Sequence, residues 1–262
     1  MKTLKNTPLN YSVQLLFDKE PLFENLILLD TLNKAFGSVE ILFSTDTLIS
    51  FVFNDYCIES EGMSIPIQIL LIKESHKFNT EKILGFMDYD KLDTETGNYI
   101  DQCTHSLMIS DFMGTSLNYK KRIFIFNEIL KVLLPIFPCK IIYWPCSQNL
   151  IKSNDFYNII NKEPKDILHC IIKVRHFIKN ELHIMDTVGF SHIGLPDLQC
   201  SFTDIESGII STILYEFSRK LYENDDYFKK NERISSMNLE FNCNYNFSII
   251  NPKRIVVELH PI

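Results

Sequence analysis

Apolar segments with strand character follow one another along this sequence, with no helical pattern between them. Val39 to Phe43, Leu48 to Phe53 and Ile65 to Ile72 are three such segments in succession. Strands in direct succession pair antiparallel, because a parallel pair needs a long crossover connection. The sequence therefore predicts an α+β fold, with a largely antiparallel mixed sheet and helices packed on one face.

Apolar residues at helical spacing predict helices over residues 22–36, 118–134, 153–161 and 204–222. Pro21 lies near the first turn of the first helix, and Gly37 is a suitable stop. The residues from Thr203 to Glu206 resemble a capping box for the last helix. Leu168 to Ile178 is predicted to be one long strand, and the polar residues 88–102 a long loop or internal boundary.

At 262 residues the chain is longer than most single domains, so one large domain and two packed halves are both open. We expect a single α+β domain over residues 1–262, because no flexible linker interrupts the sequence. The order of strands and helices after residue 100 resembles the order before it. Two similar sub-halves, 1–100 and 101–262, are therefore the alternative.

Acidic residues outnumber basic ones, and the formal net charge is −7. A negative surface repels phosphates, so the charge argues against nucleic acid as a partner and permits a basic protein. No apolar run approaches the roughly 18 residues that a membrane span needs, so we expect no membrane association.

The compartment follows from the N-terminus and the cysteines. The first residues lack the apolar region and cleavage site of a secretory signal. The seven cysteines are an odd number and include no C-x-x-C pair, which favours reduced, mostly buried thiols. The chain is therefore predicted to be cytoplasmic, and the sequence leaves its oligomeric state open.

Motifs that carry catalysis or cofactor binding are absent from the sequence. There is no G-x-S-x-G elbow, no P-loop, no G-x-G-x-x-G turn and no H-E-x-x-H zinc pair. Eight glycines in the whole chain leave little material for a phosphate-binding loop. The sequence therefore predicts no cofactor, no metal and no assignable catalytic residue, and it favours a protein that is not an enzyme.

The most unusual stretch runs from Asp186 to Asp197 and contains two glycines, one proline, two aspartates and one histidine. Glycine permits turns that other residues resist, and proline fixes φ and removes a donor. One interpretation is a structural turn between two strands. The other is a shaped loop that displays polar groups, with Asp186, Thr187, His192 and Asp197 as candidate binding residues.

A catalytic or metal site at this turn would need histidines close to carboxylates. His183 or His192 could act as a general base, oriented by Asp186 or Asp197. A metal would require His183, Asp186 and His192 to converge. Histidines that are solvent-facing or singly hydrogen-bonded are the alternative.

The only tryptophan, Trp144, lies at the predicted end of a strand and is followed by Pro145 and Cys146. One interpretation is a core aromatic beside a buried cysteine, and the other is a binding residue. A nucleophilic thiol would need a histidine partner and electropositive surroundings, and the sequence places neither nearby. Trp144 is therefore added to the candidate binding residues only.

At these two segments the sequence resembles the bacterial DUF4261 family. The shared pattern is a tryptophan-proline step, a helix, a long strand and a T-x-G-x-x-x-x-G-L-P-[ED] turn. The matching pieces here are Tyr143-Trp144-Pro145 and the segment from Thr187 to Asp197, and the resemblance covers about residues 140–225. The family is a domain of unknown function, so the resemblance implies no catalytic residue. It implies a cytoplasmic protein, and some members lie in toxin–immunity or type VI secretion neighbourhoods.

Three functions are open on this basis. The first is a protein-binding module, most sharply an immunity protein that neutralises a cognate toxin or effector, with Asp186, Asp197 and the acidic residues 88–95 as contact positions. The second is an enzyme with its site at the 186–197 turn, and the third is a structural component of a secretion apparatus. An acidic surface steers association with a basic toxin, so the first function is the one we expect.

Overall fold

The computed structural model of the protein describes residues 6–74, 93–162, 167–225 and 227–262. The chain forms two compact units. The N-terminal unit is Asn10–Pro164, and the C-terminal unit is Lys165–Ile262 together with Met1–Leu9.

The division of the chain does not fall near residue 100. Residue 100 lies inside a helix of the N-terminal unit, and the two units divide between residues 9 and 10 and between residues 164 and 165. The sub-halves 1–100 and 101–262 therefore do not correspond to these units. The single domain over residues 1–262 stays a prediction.

In the described part of the N-terminal unit, seven strands form one sheet in which every neighbouring pair is antiparallel. The order across this sheet is β2-β3-β4-β5-β1-β6-β7. The strands are β1 Ser12–Phe17, β2 Val39–Ser44, β3 Leu48–Ser60, β4 Met63–Lys73, β5 His105–Phe112, β6 Ile141–Trp144 and β7 Asn149–Lys152. The α-helices in the described ranges of this unit are α1 Asn25–Phe36, α2 Thr94–Gln102, α3 Tyr119–Leu133 and α4 Ser153–Lys162.

The C-terminal unit has a second sheet, with the order β11-β12-β13-β10-β9-β8. Its strands are β8 Lys173–Lys179, β9 Leu182–Val188, β10 Asp197–Phe202, β11 Glu232–Ser236, β12 Leu239–Phe247 and β13 Ile255–Pro261. Strands β10 and β13 are parallel, and the other neighbours are antiparallel. Its helices are α5 Leu168–Ile171 and α6 Ser207–Glu223, and α6 packs on β8, β9 and β10. The predicted α+β class is confirmed. None of the helices in the described ranges has both the length and the apolar composition that crossing a membrane requires.

Helix α1 begins at Asn25, later than the apolar pattern predicts, and its buried residues are Leu28, Leu32 and Phe36. Leu22 and Leu26, which the sequence placed on the same buried face, are 73% and 83% exposed. Leu22 precedes the helix. Leu26 lies two residues before Leu28, a rotation of roughly 200° around the helix axis, and therefore points away from the buried face.

The predicted loop over residues 88–102 is wrong for residues 94–102, which form α2, and residues 88–92 lie outside the described ranges. Asp93 is the N-cap of α2. Its carboxylate accepts hydrogen bonds from the Thr96 amide at 2.9 Å and from the Thr96 hydroxyl at 2.6 Å. Residues that suggest a loop by composition therefore start a helix here.

The long strand predicted over residues 168–178 is wrong for residues 168–172, whereas residues 173–178 do lie in a strand. Leu168–Ile171 is the short helix α5, and strand β8 begins at Lys173. A segment of four residues, three of them apolar, is too short for its periodicity to separate helix from strand.

The predicted capping box before α6 does not form. Helix α6 begins at Ser207, and its N-cap residue Glu206 makes no side-chain cap hydrogen bond. The Thr203 hydroxyl donates instead to the Asp204 carboxylate at 2.9 Å. The Thr203 hydroxyl can either cap the helix or bond to Asp204, and the residue types alone do not show which of the two hydrogen bonds forms.

Candidate functional site

The residues from Asp186 to Asp197 connect β9 to β10 through a turn. The middle of the turn is a 3-10 helix, Phe190–Ile193, flanked by Gly189 and Gly194 with φ angles of 135° and 86°. The Asp197 carboxylate accepts hydrogen bonds from the first two backbone amides of this helix, at 3.1 and 3.3 Å. These amides have no acceptor inside the short helix, so Asp197 stabilises the turn.

Thr187 joins the two strands beside the turn. Its hydroxyl donates to the Asp197 carboxylate at 3.3 Å and accepts from the Leu198 amide at 2.8 Å. The side chain is fully buried, and both of its hydrogen bonds stay within the turn region.

Arg254, which precedes β13, brings the two aspartates together. Its Nε donates to Asp197 at 2.9 Å, and its Nη2 donates to Asp186 at 2.7 Å and to the Thr187 carbonyl at 2.7 Å. Its Nη1 donates to the Pro252 carbonyl at 2.8 Å. One guanidinium can span both carboxylates because its donors form a rigid planar fork.

Arg175 on β8 supplies a second cation to Asp186. Its Nε and Nη2 donate to the two carboxylate oxygens at 2.9 and 2.6 Å, a bidentate ion pair. Asp186 lies directly opposite Gln199 on β10, and Gln199 lies opposite Glu258 on β13. Directly opposite residues share a face, so a row of polar side chains crosses the sheet.

We call Arg175, Asp186, Thr187, Asp197 and Arg254 the arginine–aspartate network. Asp186, Thr187 and Asp197 have no exposed surface, and Arg254 is 5% exposed. Burial raises the pKa of Asp197, although Arg254 acts to lower it. Burial acts to lower the pKa of Arg254, but the Asp197 and Asp186 carboxylates outweigh it and the pKa lies above its usual value. Two carboxylates therefore face two guanidinium groups in the interior.

Three of the five sequence-predicted binding residues belong to this network: Asp186, Thr187 and Asp197. Each of the four carboxylate oxygens already accepts from an arginine, a threonine or a backbone amide. A docked partner could reach these side chains only if the turn opened. The geometry gives them a structural role, and their role in binding stays a prediction.

The histidines are not arranged as the enzyme hypothesis requires. His183 Nδ1 lies 3.0 Å from Nε2 of His176, and the His183 ring also packs on Phe202 with 5.4 Å between centroids. His192 is half-buried in the 3-10 helix, and its carbonyl accepts from the Leu9 amide at 3.1 Å. The carboxylates that would orient a catalytic base are held by arginines instead.

The other side chains in the described ranges that could form a site are potential metal ligands and cysteine nucleophiles. In the described ranges, no three His, Cys, Asp or Glu side chains come together as metal ligands would. The seven cysteines are free thiols, and six of them are buried. Burial raises the pKa of Cys139 to about 12 and that of Cys103 to about 11, so neither provides a thiolate at neutral pH.

Trp144, the fifth candidate, lies in the N-terminal unit at the end of β6. It is 1% exposed, and its ring packs against Phe156 of α4 with 5.6 Å between centroids. It is a core residue of that unit, and its contact with a partner stays a prediction.

Burial of Trp144 predicts its fluorescence. Because the protein has one tryptophan, all tryptophan emission reports this residue. We expect a short-wavelength emission maximum and weak quenching by iodide in the native protein, with a red shift and strong quenching in urea. Strong iodide quenching of the native protein would show that Trp144 is accessible after all.

Gly194 should tolerate alanine poorly. Its φ is +86°, and an added Cβ would lie 2.9 Å from Cγ of Pro8. Gly62 is a matched control, because its φ is +78° and no atom lies within 4 Å of an added Cβ. Gly62→Ala should cost about 1 kcal/mol from backbone strain alone, and Gly194→Ala should cost clearly more in urea unfolding. Equal costs would show that the Pro8 contact is unimportant.

Sequence reasoning missed the two arginines of the network. The chain has five arginines among its 26 basic residues. Arg122, Arg175 and Arg254 each form an ion pair with an aspartate, while Arg219 and Arg233 are exposed. In a chain that uses lysine for most of its positive charge, an arginine is a signal for a bidentate pair.

The N-terminal unit has a solvent-exposed groove that is not part of the arginine–aspartate network. The groove has a volume of about 1130 Å³ and lies between the start of α1 and the β2–β3 turn, lined by residues 22–27, residues 44–46 and Lys73. We call it the α1 groove. Leu22, Leu26 and Ile27 line it and are 73%, 83% and 47% exposed. This groove was not predicted from the sequence, because Leu22 and Leu26 fit a helical pattern that predicted their burial.

A family model, Domain of unknown function (DUF4261), matches residues 186–260. This match confirms the resemblance seen in the sequence and is limited to the C-terminal unit. The matched range begins at Asp186 and contains Asp197 and Arg254, whereas Tyr143-Trp144-Pro145 lies outside it. No curated protein and no solved structure matches the chain.

Proposed function

We propose that this chain is a non-enzymatic, cytoplasmic protein-binding module, an immunity protein that neutralises a cognate bacterial toxin or effector of a type VI secretion or polymorphic toxin system. The observation that carries the proposal is the α1 groove, where three large apolar side chains face solvent. Exposed apolar surface around a concavity is typical of protein-interaction sites.

The arginine–aspartate network supports a binding role over a catalytic one. A general base or nucleophile must be able to reach a substrate. Asp186 and Asp197, the acids of the enzyme hypothesis, are fully buried and bonded to arginines. The 186–197 turn, which was the candidate catalytic site, therefore stabilises the fold. Binding of a protein partner at the surface is the better-supported function.

The charge of the protein supports the class of partner. A net charge of −7 favours association with a basic protein, such as a nuclease toxin. The acidic residues in positions 88–95 were predicted from the sequence to contact a toxin, together with Asp186 and Asp197. Of the two acids in positions 88–95 that are described, Glu95 accepts a hydrogen bond from Lys152 at 2.6 Å and Asp93 caps α2.

Co-expression with the product of the adjacent gene, as the candidate toxin, tests the proposal. Bacteria that express the toxin alone should stop growing, and cells that also express this protein should grow. The two proteins should co-purify as a stoichiometric complex. Absence of both protection and complex formation would contradict the proposal, and co-purification with sheath or baseplate proteins in place of a toxin would favour a role in the secretion apparatus.

A further inference from the structure

The apolar part of the α1 groove is built from residues that the fold does not use. Leu22 precedes helix α1, and Leu26 lies on the side away from the buried residues Leu28, Leu32 and Phe36. Burial of a leucine contributes roughly 1.5 to 3 kcal/mol, so this exposed pair can stabilise a complex. Loss of either side chain should leave the unit folded, because neither is part of its core.

Among the described residues that line the groove, two are acidic and one is basic. Glu24 and Asp46 line it, both are exposed, and neither side chain makes a hydrogen bond or ion pair within the described ranges. Lys73 also lines the groove, but its ammonium group lies 3.5 Å from the Glu20 carboxylate and 4.5 Å from the centroid of the Phe23 ring. Its charge is therefore balanced locally, which leaves Glu24 and Asp46 as the uncompensated charges among the described residues that line the groove.

We infer that the α1 groove binds a cationic amphipathic segment of the partner protein, an inference that rests on the proposed protein-binding function. The apolar side of the segment packs on Leu22, Leu26 and Ile27, and its lysine or arginine residues face Glu24 and Asp46. This occupant satisfies both properties of the groove, whereas an acidic segment would meet two like charges.

The acidic and the apolar side chains of the α1 groove are expected to act on different rate constants. Exposed charges at the edge of an interface steer the encounter and change the association rate and its salt dependence. Packed apolar contacts act mainly on the dissociation rate. The pair Glu24→Lys and Asp46→Lys should therefore slow association about tenfold at low salt, and the pair Leu22→Asp and Leu26→Asp should speed dissociation by about a hundredfold or more.

The chain offers a control for the charge change. Glu59 and Glu61 are exposed acids at the far end of β3 from Asp46; Glu59 is the next-to-last residue of β3, and Glu61 lies in the turn before β4. Glu59→Lys with Glu61→Lys changes the net charge by the same amount as the groove pair. This control should leave the association rate within about twofold of the wild type if steering is local.

The experiment uses two synthetic amphipathic peptides with the same leucine positions, one carrying lysine and the other glutamate, together with the toxin of the co-expression test. Binding is followed by surface plasmon resonance on the full-length protein. The lysine peptide should bind the wild type and displace the toxin, and the glutamate peptide should do neither. The groove variants should weaken both interactions, and the Glu59 and Glu61 control should weaken neither.

The outcomes separate this inference from the proposed function. Equal binding of the two peptides, or an equal effect of the two charge pairs, would overturn the inference. A wild-type dimer that Leu22→Asp with Leu26→Asp dissociates would also overturn it, because a second copy would then be the occupant. If the toxin binds all groove variants as tightly as the wild type, the inference is overturned and the proposed function is still supported. If the toxin does not bind the wild type, the proposed function is contradicted.

Discussion

An Arg254→Ala variant should lose about 3 to 5 kcal/mol of the free energy of unfolding, because its removal leaves buried carboxylates without their shared cation. Arg254 donates to Asp186 and Asp197 and also to the Thr187 and Pro252 carbonyls. Alanine replaces none of these donors. Urea unfolding followed by circular dichroism measures the loss.

Arg219, which is exposed on α6 of the same unit, is the matched control. Arg219→Ala should change stability by about 0.5 kcal/mol or less. Arg254→Lys should fall between the two alanine variants, because an ammonium group keeps the charge without the planar fork. If Arg254→Ala is no more destabilising than Arg219→Ala, the network does not stabilise the turn.

The deficit of Arg254→Ala should shrink as the pH falls. Arg254 acts to lower the pKa of Asp197, so its removal raises that pKa above its already raised native value. The folded variant then takes up a proton at a higher pH than the unfolded chain does. Protonation of Asp197 therefore stabilises the folded variant as the pH falls through this raised pKa. The difference in the free energy of unfolding between the variant and the wild type becomes smaller. A deficit that stays constant as the pH falls from neutral toward the usual pKa of an aspartate would contradict this account.

The second large effect is expected at Asp111, at the end of β5 in the N-terminal unit. Its Oδ1 accepts from Nη2 of Arg122 at 2.9 Å and from the Tyr11 amide at 2.8 Å, and Nε of Arg122 donates to its Oδ2. Arg122 is 1% exposed and Asp111 is 2% exposed. Asp111→Ala should cost about 3 to 5 kcal/mol, because it leaves a buried guanidinium without its anion.

Glu128→Ala provides the control for Asp111→Ala. Glu128 pairs with Lys131 on α3, and both side chains are about one-third exposed. Its loss should cost about 1 kcal/mol or less, as for other surface ion pairs. Thermal unfolding of the two variants under the same conditions gives the comparison. A similar small cost for both would show that the buried pair contributes no more than the surface pair.

The strands were the part of the fold most readable from sequence. The segments at β2, β3 and β4 carry continuous or alternating apolar residues whose short period is visible within each segment. The helix starts were harder to predict, as α1, α2 and α6 show. A helix cap depends on which of several nearby side chains accepts a hydrogen bond from the first backbone amides. Asp93 accepts one from the Thr96 amide, whereas the Thr203 hydroxyl bonds to the Asp204 carboxylate instead.

The candidate site was predictable in its residues but not in its chemistry. The glycines and aspartates of the 186–197 turn marked an unusual backbone, and the structure places them in one turn. Their cation, Arg254, is separated from Asp197 by 57 positions and carries no local pattern. A buried ion pair depends on tertiary contact, so a single sequence could not show that the acids were already neutralised. The α1 groove was hidden for the same reason, because exposure of Leu22 and Leu26 is a property of the packed unit.

Titration calorimetry of the toxin against matched variants tests the central claim most directly. The groove variant carries Leu22→Asp and Leu26→Asp, and the control is Met63→Asp, an apolar position at the start of β4 that is 58% exposed. The account predicts that the wild type and Met63→Asp bind with the same affinity. It predicts that the groove variant binds at least about a hundredfold more weakly while unfolding at the same urea concentration. Unchanged affinity of the groove variant, or no binding by the wild type, would contradict the claim that this protein recognises its partner through the α1 groove.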